Sequence, residues 1–233
     1  MSSPLAVITG TSSGIGYATT QALLQNGWRV LGIGRSAPNV THSNYQHLTV
    51  DLTDTTQIAT CITTIKEHHS EISALINNAG VGHFGPHETL SPESITQMVA
   101  LNLLAPLLLI QGLLRNLRDN QGHILGISSF SAEESSSFGA AYAATKCGLS
   151  HFHDSLFEEV RKSGVRVTTI TPDITRTPFY DNLTFAPNEN ELAAVTPSCV
   201  ADAVLHALTT RTGTVTSKII VRPQRVLIDK RAR

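Results

Sequence analysis

Cysteine, tryptophan and charge are all scarce in this chain. Of its 233 residues, three are Cys and one is Trp; aromatic residues make up 5% and charged residues 15%. Cys61, Cys147 and Cys199 are far apart and odd in number. They fit neither a disulfide framework nor the spacing of zinc ligands, so no metal site is expected, and unpaired thiols point to a reducing, cytoplasmic setting. The formal net charge is −1, with no long basic run, so no dedicated nucleic-acid surface is expected. The short basic ending Asp229-Lys230-Arg231-Ala232-Arg233 reads as a solvated tail. Met1-Ser2-Ser3-Pro4 lacks the charged region of a signal peptide. The most apolar stretch, Leu101 to Leu114, is interrupted by Asn102, Pro106, Gln111 and Gly112. It reads as a buried helix too short to span a membrane.

What is present is alternation. Short β-branched runs are separated by longer segments with helical spacing of apolar residues, the pattern of βαβ units and a parallel sheet. Strands are expected at Pro4–Thr9, Arg29–Gly34, Gln46–Val50, Ser73–Ile76, Gly122–Ser128, Val165–Thr171 and Lys218–Val221. Helices are expected from Ile15 to Asn26, with Gly27 as the stop, and from Asp54 to about His69. Ser91-Pro92-Glu93 starts another, running toward Arg118, which Pro106 should kink or reset in phase. Two more are read at Phe138–Lys162 and Ser198–Thr209. With no repeat and no linker, residues 1–233 read as one doubly wound, Rossmann-like α/β domain.

Thr9-Gly10-Thr11-Ser12-Ser13-Gly14-Ile15-Gly16 joins the first strand to the first helix. Glycines there permit a sharp turn and close approach of backbone to a pyrophosphate, beside the unpaired N–H groups of a helix N-terminus. At the end of the second strand, where NAD-selective folds place a carboxylate, stand Gly34, Arg35 and Ser36. A guanidinium without a competing carboxylate suits a 2′-phosphate, and predicts NADP(H) over NAD(H). Asp51-Leu52 follows the third strand; its carboxylate suits either an adenine amino group or a helix cap.

Tyr142 and Lys146, four residues apart within a helix, share one face. An ammonium near a phenol favours the phenolate, which suits an acid or base. Asn77-Asn78-Ala79-Gly80 and Ser128-Ser129 end two other strands, so the glycine loop and both segments converge on the carboxyl rim of the sheet, where open α/β folds bind ligands.

Along essentially its whole length the chain resembles the short-chain dehydrogenase/reductase family. The family's Thr-Gly-x-x-x-Gly-x-Gly loop matches Thr9–Gly16, and its Asn-Asn-Ala-Gly stretch matches Asn77–Gly80. Its Asn-Ser-Tyr-Lys tetrad falls on Asn102, Ser129, Tyr142 and Lys146, with Ser129 preferred to Ser128 because the serine usually precedes the tyrosine by thirteen residues. The resemblance implies hydride transfer between a nicotinamide and a small carbonyl or alcohol substrate. Ser129 would bond the carbonyl oxygen, Tyr142 would deliver the proton, and Lys146 would lower the tyrosine pKa and hold the ribose. Asn102 would position a water. Gly10, Ser12, Ser13, Gly14, Ile15, Gly16, Arg35, Ser36, Asp51, Leu52, Asn78, Ala79, Gly80, Tyr142, Lys146, Pro172 and Thr177 would contact the cofactor. A homodimer or homotetramer is implied too.

One departure stands out: Pro172-Asp173 replaces the family's Pro-Gly. The irregular segment that follows, about residues 173–197, is expected to cover substrate with Phe179, Tyr180, Leu183 and Phe185; Arg176 is its candidate carboxylate clamp. A non-catalytic NADP(H)-binding sensor or regulator is the alternative reading, and an isomerase or dehydratase a lesser one. His151 and His153, two apart on a helix, point to different faces and make a poor metal pair.

Overall fold

A computed structural model describes residues 3–231. Its frame is β1 (Leu5–Thr9), α1 (Gly14–Gln25), β2 (Arg29–Gly34), β3 (Tyr45–Thr49), α2 (Thr55–His68) and β4 (Ile72–Asn77). Then follow α3 (Pro92–Val99), α4 (Ala105–Asp119), β5 (His123–Ile127), α5 (Ala140–Val160) and β6 (Arg166–Pro172). The chain ends with β7 (Phe185–Pro187), α6 (Pro197–Thr209), β8 (Lys218–Val221) and β9 (Ile228–Lys230). Seven strands pair in parallel in the order β3-β2-β1-β4-β5-β6-β8. The doubly wound α/β fold is therefore present.

Side-chain alternation along β1 shows why both faces need helices. Leu5 and Val7 enter a core shared with Ile58 and Ile65 of α2, Leu109 and Leu113 of α4 and Leu156 of α5. Ala6 and Ile8 enter a second core with Leu23 of α1 and Val200 and Val204 of α6. A strand buried on both faces reads as an uninterrupted apolar run, and LAVI is one.

Helix boundaries follow the cap chemistry. Asp54 accepts from the N–H groups of Thr56 and Gln57 at 2.8 and 3.2 Å, and Ser91 accepts from Ser94 N–H at 3.2 Å. Gly27 and Gly164 end their helices at φ +79° and +82°, where a side chain would strain the backbone.

Three expectations change. The Pro106 kink is instead a π turn, Ala100–Leu104, that joins α3 to α4 through an Ala105 N–H to Ala100 O bond. Pro106 has no N–H to continue the ladder, and one widened turn absorbs the misfit. Pro92–Asp119 thereby becomes one 28-residue helix, long and apolar enough by length and composition to cross a bilayer; here Leu109, Leu113 and Leu117 are buried in the core. The basic ending is not a free tail: β9 pairs antiparallel with β7 inside the irregular segment, and Arg231 donates N–H to Thr184 O at 2.7 Å. Ala232 and Arg233 lie outside the described residues.

Two histidines are buried in this frame. His123 shares a hydrogen bond with Thr168 Oγ1 at 2.7 Å and His153 with Thr169 Oγ1 at 3.0 Å, and the second ring nitrogen of each has no partner. His151, by contrast, is exposed. Burial pushes the pKa of His123 down to about 3 and that of His153 down to about 4. The unfolded chain takes up protons near the ordinary histidine value while the folded chain does not. Stability is therefore full above about pH 6.5 and is lost as pH falls toward the folded values, by about 1.4 kcal/mol per pH unit for each histidine. In urea unfolding between about pH 6 and 5, His153→Gln should reduce the pH slope by about one proton's worth; an unchanged slope would show that His153 is already charged in the fold.

Candidate active site

The carboxyl ends of the strands open onto a cleft of about 450 Å³. Its floor is set where β1 meets β4. Thr9 Oγ1 accepts the N–H groups of Asn78 and Ala79 at 2.9 and 3.0 Å, and Asn78 Nδ2 donates to Thr9 O at 2.9 Å and Gly10 O at 3.0 Å. Gly10 and Gly14 adopt φ of +72° and +56°. A Cβ on Gly16 would collide with Gly10 O and the Asn78 amide. Ser13 precedes α1 without a side-chain cap bond, and the first turn holds no acidic residue. The helix N-terminus therefore faces the cleft with unpaired N–H groups, a fit for a diphosphate.

Gly10, Ser12, Ser13, Gly14, Ile15, Arg35, Ser36, Asp51, Leu52, Asn78, Ala79, Gly80, Tyr142, Lys146, Pro172 and Thr177 all line this one cleft; Gly16 lies behind the loop. Arg35 and Ser36 are exposed at its far end. Asp51 is not the cap of α2, since Asp54 is. Its Oδ1 instead accepts from Thr53 N at 2.9 Å and Thr53 Oγ1 at 2.7 Å, which with nearby Arg35 lowers its pKa.

At the near end, α5 presents Tyr142 and Lys146, both buried, and Lys146 Nζ lies 5.9 Å from the Tyr142 ring centroid. Nζ donates to Ile127 O at 2.9 Å. Burial dominates both groups. It pushes the Tyr142 phenol up to about 12, with a hydrogen bond from Ser129 pulling the other way, and pushes Lys146 down to about 8. The expected lowering of the phenol by Lys146 does not emerge: desolvation sets the direction, and the opposing influence is Ser129. Ser128 and Ser129 diverge as β5 ends. Ser128 Oγ bonds Lys146 O at 3.2 Å and Ser150 Oγ at 2.8 Å inside the core, whereas Ser129 caps the 3₁₀ turn Phe130–Ala132 and stands beside Tyr142.

Asn102 sits in the π turn and is fully buried. Its Oδ1 accepts from Val81 N at 2.8 Å, and its Nδ2 donates to Val81 O at 2.8 Å and Thr145 Oγ1 at 3.1 Å. The side chain therefore braces the loop after β4.

Rings cover Tyr142. Phe84 and Phe179 lie 5.2 and 5.8 Å from it, centroid to centroid, and Phe185 packs edge-on to Phe84 at 5.1 Å. Phe84 escaped the sequence reading. Its signal was Gly82, two residues earlier, where a Cβ would come within 2.5 Å of both Phe84 and Phe179. Gln97, Leu101 and Val81 also line the cleft. Arg176 is not a carboxylate clamp: its Nη2 donates to Asn188 O at 2.9 Å and Asn190 O at 3.4 Å, bracing the covering segment. Asp173 lines the cleft, yet its Oδ2 accepts from Arg222 Nε at 3.0 Å.

Comparison with known proteins identifies the family. The family model described as short chain dehydrogenase matches residues 4–187. An uncharacterized oxidoreductase of Staphylococcus haemolyticus is 29% identical over 227 residues, covering 94% of this chain and 96% of that protein. A short chain dehydrogenase of Penicillium roqueforti is 34% identical over 174 residues, covering 72% and 68%. Among solved structures, a metagenomic short-chain oxidoreductase in complex with NADP is 30% identical with a TM-score of 0.79, covering 94% and 96%. An alcohol dehydrogenase from the archaeon Thermococcus sibiricus, at 23% identity and a TM-score of 0.86 over 94% and 96%, shares the fold. The chain belongs to the short-chain dehydrogenase/reductase family of oxidoreductases.

Proposed function

We propose that this chain is an NADP(H)-dependent oxidoreductase that interconverts a small, uncharged carbonyl compound and its alcohol, with Tyr142 as general acid and base. The observation that supports it most is one cleft with Arg35 and Ser36 at one end and Ser129, Tyr142 and Lys146 at the other. The NADP complex of the metagenomic relative supports the same cofactor.

The glycine loop, with Ser12, Ser13 and Ile15, would hold the pyrophosphate, Arg35 and Ser36 the 2′-phosphate, and Asp51 and Leu52 the adenine side. Asn78, Ala79, Gly80, Pro172 and Thr177 would hold the nicotinamide half. Hydride donation and acceptance are the cofactor's contribution.

In reduction, the Ser129 hydroxyl donates to the substrate carbonyl oxygen and stabilises the negative charge that grows there. Tyr142, kept protonated by burial, delivers the proton to that oxygen. Lys146, buried and aimed from the same helix face, supplies positive charge beside the phenol as it ionises and a donor for the ribose. Pro106 offers no N–H to the Asn102 carbonyl four residues back, which leaves that oxygen to accept from a water feeding protons to Lys146. Asn102 thus acts through its backbone while its side chain holds the loop. The phenyl rings around Tyr142 exclude water and favour an apolar substrate.

Cys147 and Cys199 are free and exposed, which supports a cytoplasmic setting. Exposed Val99 and Leu104 on the long helix support a homodimer or homotetramer.

The first experiment supplies NADPH, and NADH in parallel, with a panel of ketones and aldehydes. Consumption of NADPH is expected, with Tyr142→Phe losing at least about a thousandfold in kcat while its NADPH Kd stays within about twofold. Normal turnover in that variant would refute the assignment, and silence of the parent with NADPH bound would favour a sensor.

Arg35→Ala should weaken NADPH binding by about tenfold or more and leave NADH nearly unchanged; equal losses would remove the 2′-phosphate role.

The pH profile has a defined sign. Tyr142 stays protonated across neutral pH, whereas Lys146 loses its charge as pH rises through about 8. Steady-state reduction should be flat toward neutral pH and decline above that value; a rate rising through it would contradict the role of Lys146.

A further inference from the structure

Asp173 stands where the family pattern has glycine, and only 10% of its side chain is exposed. A carboxylate so placed needs a partner. Arg222, the residue after β8, provides it through Nε to Oδ2 at 3.0 Å. The same guanidinium lies 3.8 Å from the centroid of the Phe130 ring. Asp173 is itself fixed: its N–H donates to Val221 O at 2.8 Å and its Oδ1 accepts from Ile174 N at 2.8 Å. Phe130 directly follows Ser129 and opens the 3₁₀ turn that Ser129 caps, with Ser131 N donating to Ser129 Oγ at 3.2 Å. At the other end of that turn, Glu133 accepts from Lys218 Nζ at 2.9 and 3.2 Å. In the sheet β8 lies beyond β6, not next to β5, so both cations reach across β6 to grip one turn.

We propose that Asp173, Arg222 and Phe130, with Lys218 and Glu133 as a second tie, are positioning residues that set the Ser129 hydroxyl. The inference rests on the reading of Ser129 as the group that polarises the substrate carbonyl. The turn is short and borne on a loop, and without the clamp its hold on Ser129 is two backbone N–H groups, Ser131 N on Oγ at 3.2 Å and Ala132 N on the carbonyl at 2.9 Å, of which only the first touches the hydroxyl. A guanidinium that pairs with a fixed carboxylate on one side and stacks on a ring on the other ties that ring to the end of β6. The extra carboxylate at position 173 is then not a substrate contact. It anchors the arginine.

Two measurements test this. In hydrogen exchange of the full-length protein, the segment from Ser129 to Glu133 should exchange about tenfold faster in Arg222→Gln and Asp173→Asn than in the parent, with the core strands unchanged. In NADPH-dependent reduction of benzaldehyde, or of any ketone or aldehyde the parent turns over, Arg222→Gln and Phe130→Leu should each lower kcat about tenfold with KM within about twofold. In a Ser129→Ala background the same substitutions should change kcat by less than about twofold, because what they position is gone. Arg222→Lys, which keeps the charge, should recover part of the loss. Unchanged exchange in both charge variants would overturn the clamp, as would equal kinetic losses in the two backgrounds. A Ser129→Ala variant with normal kcat would instead refute the role of Ser129, while exchange would still report on the clamp.

Discussion

The site is organised by the seam between β1 and β4, where the winding of the sheet reverses and two strand ends open with no helix between them. One amide, that of Asn78, spans the gap: its nitrogen donates to the carbonyls of Thr9 and Gly10 while the Thr9 hydroxyl accepts two N–H groups in return. All of these are backbone groups that the sheet ladder can no longer satisfy, and each left unpaired in the interior would cost about 1–3 kcal/mol. The seam also dictates the loop above it. Gly16 has no room for a Cβ because Gly10 O and the Asn78 amide occupy that space. The glycine requirement is therefore a consequence of the seam as much as of a ligand, and shape and site arise from one constraint.

The opposite end of the cleft is governed by dryness. Burial raises the phenol of Tyr142 and lowers the ammonium of Lys146, so each is pushed toward its neutral form. In water, neighbouring charges would decide such a pair; here desolvation is larger, and Ser129 is the group that pulls the phenol back. The aromatic rings that exclude water set these values as much as the polar groups do. A phenol held protonated at neutral pH is suited to giving up its proton only as charge develops on a substrate oxygen.

Much of this was legible in the sequence because it depends on local chemistry. A run such as LAVIT can only be a doubly buried strand, Ser91-Pro92 and Asp54 begin helices by capping, and the spacing of four puts Tyr142 over Lys146. The cleft lining was legible because strand ends converge in a parallel sheet. What escaped depends on partners distant in sequence. Phe84 and Phe179 meet only because Gly82 is small; β9 exists only because β7 is there to pair with it; and Arg176 loses its candidate role to carbonyls twelve and fourteen residues away. The π turn was half visible: Pro106 announces a disturbed helix, but not that the misfit is taken up as a widened turn, in which Asn102 is anchored to Val81 in a distant loop.

Position 173 shows the same limit from the other side. The sequence displays a carboxylate where backbone freedom is usual and close to the reacting groups, which suggests an altered substrate preference without saying how it would arise. A largely buried charge, however, cannot be interpreted without its counter-ion, and that counter-ion is forty-nine residues away, just past the end of an edge strand. Once Arg222 is in place, the carboxylate is satisfied and its influence runs outward through the guanidinium to Phe130 rather than inward to the substrate. A charge introduced at a catalytic rim can thus alter the site without touching anything that binds there, by changing what holds the neighbouring turn.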